Sequence, residues 1–494
     1  MTTLSVPSIA LGAYHGGESM AHRCQSMRIP HPCLQQTTPK GPNASSCPFT
    51  FLRPNLSPNP DQEADAGTRI PLSGDFLRGF GSKSSSNTTG LNRNPQIGDR
   101  LVLWDFDVVF SKRHKTPTQL EPLRQVGDPV ADSCVEALKI KPGADALEVL
   151  KQYLATPSLQ QQADGPREFR DGAFRDGAFQ VPDWVDWDII EQGQQVYWKY
   201  VNSITFSLLH YSLVGGFSTP RLAQTLRCTN YLTTSPDRSY QRLMETSQMV
   251  HDCMIGGMQS LQPQMGKGWS SIMRVRLLHT QVRLRILSLA NSHPDYYSVE
   301  ENGVPINQED LVITLCAFSI LVIISLERIG ISLSCEEEFA YLHVWRLIGH
   351  YMGVEPENNP LTSHEDALAA FQSILYHISQ PDDLSVHLAH SILRAVADKP
   401  PLKQSFEFHS ACSRALLGDA LSDALQLGSS SLQDRIMVEL FFAVLRCPPT
   451  PWWTTLLQTW SNWYLQQLTT NMDLNFTMKM MPQLPKFFRR RKYN

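Results

Sequence analysis

Apolar residues recur along most of this chain at intervals of three and four, the spacing that lays an apolar stripe along an α-helix. "ADALEVLKQYLA", "VDWDIIEQGQQVYWKYVNSITFSLLHYSLV" and "TPRLAQTLRCTNYL" carry the pattern, and "DRSYQRLMETSQMVHDCM" and "MRVRLLHTQVRLRIL" continue it. In "SCEEEFAYLHVWRLIGHYMG", Ser334 with Glu337 three residues on predicts a capping box, and Gly353 marks the helix end. Ser363 and Asp366 repeat the start signal, and three or more helices follow between about Pro381 and Asn471. Strand signals are few, so the pattern from about Pro129 onward predicts one large all-α domain.

The segment Met273 to Leu287 is the most informative of these. At about 100° per residue, Val275, Leu278, Val282, Ile286 and Leu289 share one face. His279 sits at the edge of that stripe, with Arg276 and Arg283 beside it. An imidazole turned to a protein interior is either hydrogen-bonded or a ligand. On the residues alone, a core-edge histidine paired to a carbonyl or carboxylate is the simpler reading.

"LVITLCAFSILVIISLERIGISL" is the longest apolar stretch, with about sixteen residues before Glu327 where a membrane span needs ~20. It predicts a buried core helix over Leu311–Leu326 and no transmembrane span. The N-terminus lacks the basic flank and apolar run of a signal peptide. Residues 1–95 are rich in Pro, Ser, Asn, Thr and Gly without periodicity, which predicts a disordered, low-complexity arm. Residues 96–445 then form the helical domain, and 446–494 a C-terminal helix and basic tail. "FFRRRK" near the end reads as a solvated tail, with peripheral contact to an anionic membrane surface as its alternative. "FRDGAFRDGAF" is a five-residue duplication that reads as a loop tolerant of insertion.

Composition narrows the class. A hydrophobic fraction of 42% over 494 residues supports a sizeable core, and a net charge of −4 argues against a nucleic-acid partner. The ten cysteines are scattered without C-x-x-C pairs, as in a reduced intracellular protein, cytoplasmic or peripherally membrane-associated.

Three patterns look like chemistry. Asp105-x-Asp107 after an apolar run resembles a phosphatase nucleophile motif, but that chemistry needs alternating strands and helices, which the sequence lacks. His387/His390 and His343/His350 have helical spacing without the carboxylates of a di-iron bundle, so packing or surface histidines are expected. Arg242, Glu245 and Thr246 share a helix face, which is either a salt-bridged surface or the polar lining of a pocket.

Several segments between about 128 and 355, in order, resemble the rubber oxygenase (latex-clearing protein) family, which includes the fungal MpaB-type oxygenase of mycophenolic acid biosynthesis. They are "GDPVADSCVEAL", "VPDWVDWDIIEQGQQVYWKY", "LLHYSLVGGFSTPRLAQTL", "RLMETSQMVHDCM", "RVRLLHTQVRLRIL", "GVPINQEDLVITLCAFSILVIISLERIGI" and "EEFAYLHVWRLIGHYMGV". The resemblance implies a fungal-type member with a globin-like helical domain around a haem pocket, holding haem b (iron). It implies O2-dependent cleavage of C=C bonds in a lipophilic, possibly isoprenoid, substrate to carbonyl products. It makes His279 the proximal iron ligand. Arg276 and Arg283 become candidates for propionate pairing or core salt bridges, by our own inference. Arg242 and Thr246 match the distal-side arginine and threonine of the family. Where some members place a lysine ligand, this chain has Glu245, a candidate general base or salt-bridge partner of Arg242. His343, Trp345, Arg346 and His350 match a family signature with an expected structural role. The competing expectation is a non-catalytic helical haem-binding or scaffold protein that keeps the fold.

Overall fold

The protein is described by a computed structural model over residues 94–140, 144–156, 178–229, 235–400 and 403–446. The predicted N-terminal arm, the "FRDGAF" duplication and the C-terminal segment fall outside these residues apart from their inner edges.

The apolar run before the helices is an antiparallel hairpin. Strands β1 (Arg100–Leu103) and β2 (Phe106–Val109) pair with Arg100 opposite Val109 and Leu103 opposite Phe106. Phe106 and Val108 are buried, and Trp104 at the turn meets Tyr211 and Phe371 edge-on at ring distances of 5.8 and 5.6 Å. Asp105 accepts hydrogen bonds from Arg328 Nη1 and Nη2 at 2.7 and 2.8 Å. The aspartate pair therefore lies on a hairpin clamped to helices, and this hairpin is the sheet found among the described residues.

Helices make up the rest. In chain order they are α1 (Pro129–Ala137), α2 (Ala146–Ala155), α3 (Trp187–Lys199), α4 (Val201–Ser207), α5 (Pro220–Thr229) and α6 (Pro236–Met254). Then come α7 (Lys267–Ser292), α8 (Gln308–Phe318), α9 (Ile320–Ile329), α10 (Cys335–Tyr351) and α11 (His364–Ile378). The last are α12 (Asp383–Val396), α13 (Phe406–Leu417), α14 (Asp419–Ala424) and α15 (Leu432–Arg446). The local start signals act as read: Ser334 and Glu337 form a reciprocal capping box on α10, and Ser363 accepts from the Asp366 N–H on α11. Gly353 takes the left-handed conformation (φ 93°) just beyond α10.

Two predicted continuous helices are interrupted. The stretch expected as one helix over Leu311–Leu326 breaks at Ser319 (φ −116°, ψ −89°) into α8 and α9. The Ser319 hydroxyl donates to the Leu315 carbonyl at 2.7 Å, the local back-bonding by which serine bends helices. The combined stretch Gln308–Ile329 has the length and hydropathy of a membrane span, yet 83% of that window is buried inside the fold. Likewise "VDWDIIEQ…SLV" breaks at Tyr200 (φ −117°, ψ 21°), and Leu208–Leu213 widens into a π-helical turn. Neither break carries a Gly or Pro for sequence reading to find.

The long α7, about 39 Å at 1.5 Å per residue, organises the packing. Trp269, Ile272, Met273 and Val275 enter the main core, whereas Leu278, Val282 and Ile286 pack with Tyr296 and Tyr297 in a second cluster. Helices α3 and α10 approach closely at Gly193, where an added Cβ would lie 2.2 Å from the Ala340 carbonyl oxygen.

Candidate functional site

The site lies where α6 packs on α7. His279 projects from the middle of α7, and its Nδ1 is shielded from solvent without a hydrogen-bond partner. Burial, then the positive charges of Arg242 on α6 and Arg283 one turn away, push the imidazole pKa down to about 3, with Asp128 a lesser opposing influence. The ring is therefore neutral at physiological pH and keeps a lone pair, the form a metal ligand requires.

Arg242, Glu245 and Thr246 come together on α6. The Glu245 carboxylate is buried, accepts from Gln241 Nε2 at 3.1 Å and lies 3.7 Å from Arg242 Nη1. The Thr246 hydroxyl donates to the Arg242 carbonyl at 3.1 Å, so it is occupied by its own helix. The α6–α7 contact thus places a cation beside a neutral imidazole, with the buried Glu245 carboxylate on the cation's own helix.

Arg276 and Arg283 are engaged by α1. Arg276 donates through Nε and Nη2 to the two Asp128 oxygens at 2.6 and 3.0 Å, and through Nη1 to the Tyr351 carbonyl at 3.3 Å. Arg283 pairs with Asp132 and donates to the Pro305 and Ile306 carbonyls at 3.0 and 2.9 Å. Of the two roles set out for these arginines, core salt bridges are what these contacts supply. Burial raises the Asp128 carboxyl pKa, but the Arg276 charge and hydrogen bonds, with the Ala131 N–H, outweigh it and hold the pKa below the ordinary value. For Asp132, burial outweighs the Arg283 charge and the pKa is raised.

The signature residues on α10 sit among structural contacts. His343 Nε2 accepts from the Asp186 N–H at 3.2 Å and stands edge-on to Trp184 at 5.4 Å, and the Arg346 guanidinium lies 4.1 Å over the Trp184 ring. Trp345 stacks on Phe318 at 5.0 Å. His350 Nε2 is buried without a partner, and burial, with Arg276 nearby, lowers its pKa to about 4. His387 is exposed and His390 donates to the Gln426 carbonyl at 3.0 Å. No cluster of three His, Cys, Asp or Glu side chains among the described residues could hold a metal ion.

Sequence reading missed a second buried group of charges. Asp310 caps α8 from within a capping box with Asn307. Burial, reinforced by the neighbouring Glu309 charge, raises its pKa to about 7. Glu309 itself accepts from His377 Nδ1 at 2.5 Å. "NQED" signalled a helix start and nothing about its burial. Asp128 was likewise visible only as an N-cap, because its partner lies 148 residues along the chain.

The geometry tests a haem reading. A neutral imidazole with an unspent nitrogen has the donor chemistry that would hold haem iron, on a helix whose Val275, Leu278 and Val282 are buried in the core. The fold is a helical one of latex-clearing-protein type: a solved structure of Latex Clearing Protein LCP in the closed state aligns over 70% of this chain and 90% of its own, with a TM-score of 0.50 at 20% identity. Residues 198–447 match the family described as ER-bound oxygenase mpaB/B'/Rubber oxygenase, catalytic domain, and the chain belongs to that family. The rubber oxygenase of Streptomyces sp. (strain K30) is 24% identical over 315 residues, which span 63% of this chain and 72% of that protein.

Proposed function

We propose that this protein is a haem b-dependent oxygenase that uses O2 to cleave C=C bonds of a lipophilic, isoprenoid-like substrate to carbonyl products. Family membership supports the oxygenase class. The observation that carries the haem reading is His279, a neutral imidazole whose sealed Nδ1 has no partner. When bound, haem supplies the redox chemistry of O2 activation.

The chain's own residues supply placement and charge. His279 offers iron a nitrogen lone pair that burial and two arginines keep unprotonated. Arg242 sets a positive charge beside that imidazole, which helps keep the ring unprotonated. Glu245, buried between Gln241 and Arg242, is the candidate base for a proton on the substrate's allylic carbon. Arg276 and Arg283 tie α7 to α1 and thereby position His279. The apolar α8 and α9 suit the walls of a channel that excludes water.

A second reading rests on Glu245, whose carboxylate is already engaged by Gln241 and Arg242: a non-catalytic helical binder that keeps the fold. The absorption spectrum of the purified protein beside His279→Ala tests the first reading. A Soret band in the wild type that the variant loses supports it. No haem in the wild type, even when haem is supplied during expression, overturns it. Turnover under O2 with a reductant then separates an enzyme from a haem-bearing binder.

A further inference from the structure

The start of α8 gathers charge from five elements. Glu309 and Asp310, adjacent in sequence, are 1% and 6% exposed. Glu309 receives the His377 Nδ1–H of α11 at 2.5 Å. The other nitrogen of that ring, Nε2, lies 3.4 Å from Glu121 on the 3-10 turn Glu121–Gln125. One imidazole thus bridges a buried carboxylate and a half-exposed one. Arg124 of the same turn pairs with Glu121 and donates through Nη2 to the Glu301 carbonyl at 2.7 Å. Beyond these, Arg221 of α5, Arg283 of α7 and the Tyr297 phenol act on the acidic pair.

Asp310 is the member of the pair that the imidazole leaves out. Its carboxylate accepts the Asn307 N–H at 3.3 Å within the capping box. Burial, then the Glu309 charge, raise its pKa to about 7, so near neutrality it is divided between an acid and an anion that calls for a cation. The N-terminal end of a helix favours negative charge, so the anion can form without undoing the cap. Two guanidinium nitrogens of this cluster, Arg124 Nε and Arg221 Nη1, are buried without a hydrogen-bond partner, a costly state for a donor. Arg124 is already held by Glu121 and the Glu301 carbonyl. Arg221, half-buried at the second position of α5, feels the Glu309, Glu121 and Asp310 charges without an ion pair to any of them.

We propose that Asp310 and Arg221 form a pH-operated latch between α8 and α5. Protonated, Asp310 stays within its cap and Arg221 Nη1 is unspent. Ionised, with its proton released to water, Asp310 takes the Arg221 guanidinium and draws the start of α5 onto α8. Arg283 holds the chain just ahead of α8 through the Pro305 and Ile306 carbonyls, so the latch works beside α7.

The full chain is compared with Asp310→Asn, Arg221→Gln and Glu309→Gln between about pH 5.5 and 8.5, on either side of the Asp310 transition. Hydrogen exchange is read by mass spectrometry on peptides covering 219–229 and 303–318, corrected for the intrinsic rate, and urea midpoints are measured alongside. In the wild type, exchange at the start of α5 should slow by about two- to fivefold as pH rises through 7, the effect of one partly exposed ion pair. Asp310→Asn and Arg221→Gln should each abolish that step. Glu309→Gln removes the like charge and should move the step to lower pH by about one unit. In the urea series, the decline that Asp310 causes should end at lower pH in Glu309→Gln and at higher pH in Arg221→Gln, opposite shifts that lost packing alone does not produce. If Asp310→Asn fails to accumulate, the other two variants decide. Exchange at α5 that does not change with pH overturns the latch, as do shifts of the same sign in Glu309→Gln and Arg221→Gln. A step that persists in Asp310→Asn also overturns it and assigns the titration to His377.

Discussion

Arg276→Met removes a buried cation and leaves its partner behind. Arg276 and Asp128 are 6% and 3% exposed, and two hydrogen bonds join them at 2.6 and 3.0 Å. In the variant, Asp128 keeps the Ala131 N–H at 3.1 Å but has lost the guanidinium that compensates its burial. Breaking one side of such a pair costs about 3–5 kcal/mol, a rise in the unfolded-to-folded ratio of roughly 10²- to 10⁴-fold. Asp128→Asn should cost a similar amount, because an asparagine can still cap α1 but strands Arg276. The double variant leaves no buried charge at this pair and should cost less than the sum by about 1–3 kcal/mol. Urea midpoints at unchanged slope measure all four proteins. In the wild type the depressed Asp128 pKa contributes stability that is present above about pH 4 and lost as pH falls through the folded value. In Arg276→Met the largest influence opposing burial is gone, so the Asp128 pKa should rise and acidification should stabilise the variant relative to the wild type. A single-variant cost below about 1 kcal/mol, or strict additivity in the double variant, refutes the reasoning. Loss of haem without loss of stability would also refute it, by assigning Arg276 to a bound carboxylate instead of Asp128.

The same contacts set further expectations. His279→Ala should abolish the Soret band while far-UV circular dichroism is retained. With a folded-state pKa near 3, His279 makes the wild type lose stability as pH falls from about 6.5 towards 3, and the variant should lose less over that range. Asp310 has the opposite sign: with its pKa raised to about 7, its contribution is greatest below about pH 4 and declines as pH rises to 7. Asp310→Asn should flatten that decline in a pH series of unfolding midpoints, and an unaltered slope would show that the carboxyl does not titrate there. Gly193→Ala brings a methyl to 2.2 Å from the Ala340 carbonyl oxygen and 2.5 Å from Val344 Cγ2. It should destabilise by about 1–3 kcal/mol in urea, and a neutral result would mean that α3 and α10 separate freely.

The local patterns of this chain were enough to establish its mostly helical class, though not the β1–β2 hairpin, along with the starts of α10 and α11 and the face of α7 that carries His279. Caps and periodicity act within a turn or two, so a linear reading reaches them. The resemblance to the rubber oxygenases was legible for the same reason, being carried by short colinear segments. The breaks at Ser319 and Tyr200 were not legible, because neither uses the usual glycine or proline. The pairing of Arg276 with Asp128 was invisible as well: nothing near either residue names a partner 148 positions away. Charge states were the last to be decided. His279 is neutral and Asp310 holds its proton to about pH 7 because of burial and the ions that the fold sets around each. A sequence states which groups can ionise, but desolvation and distance, which exist only in the packed molecule, decide whether they do.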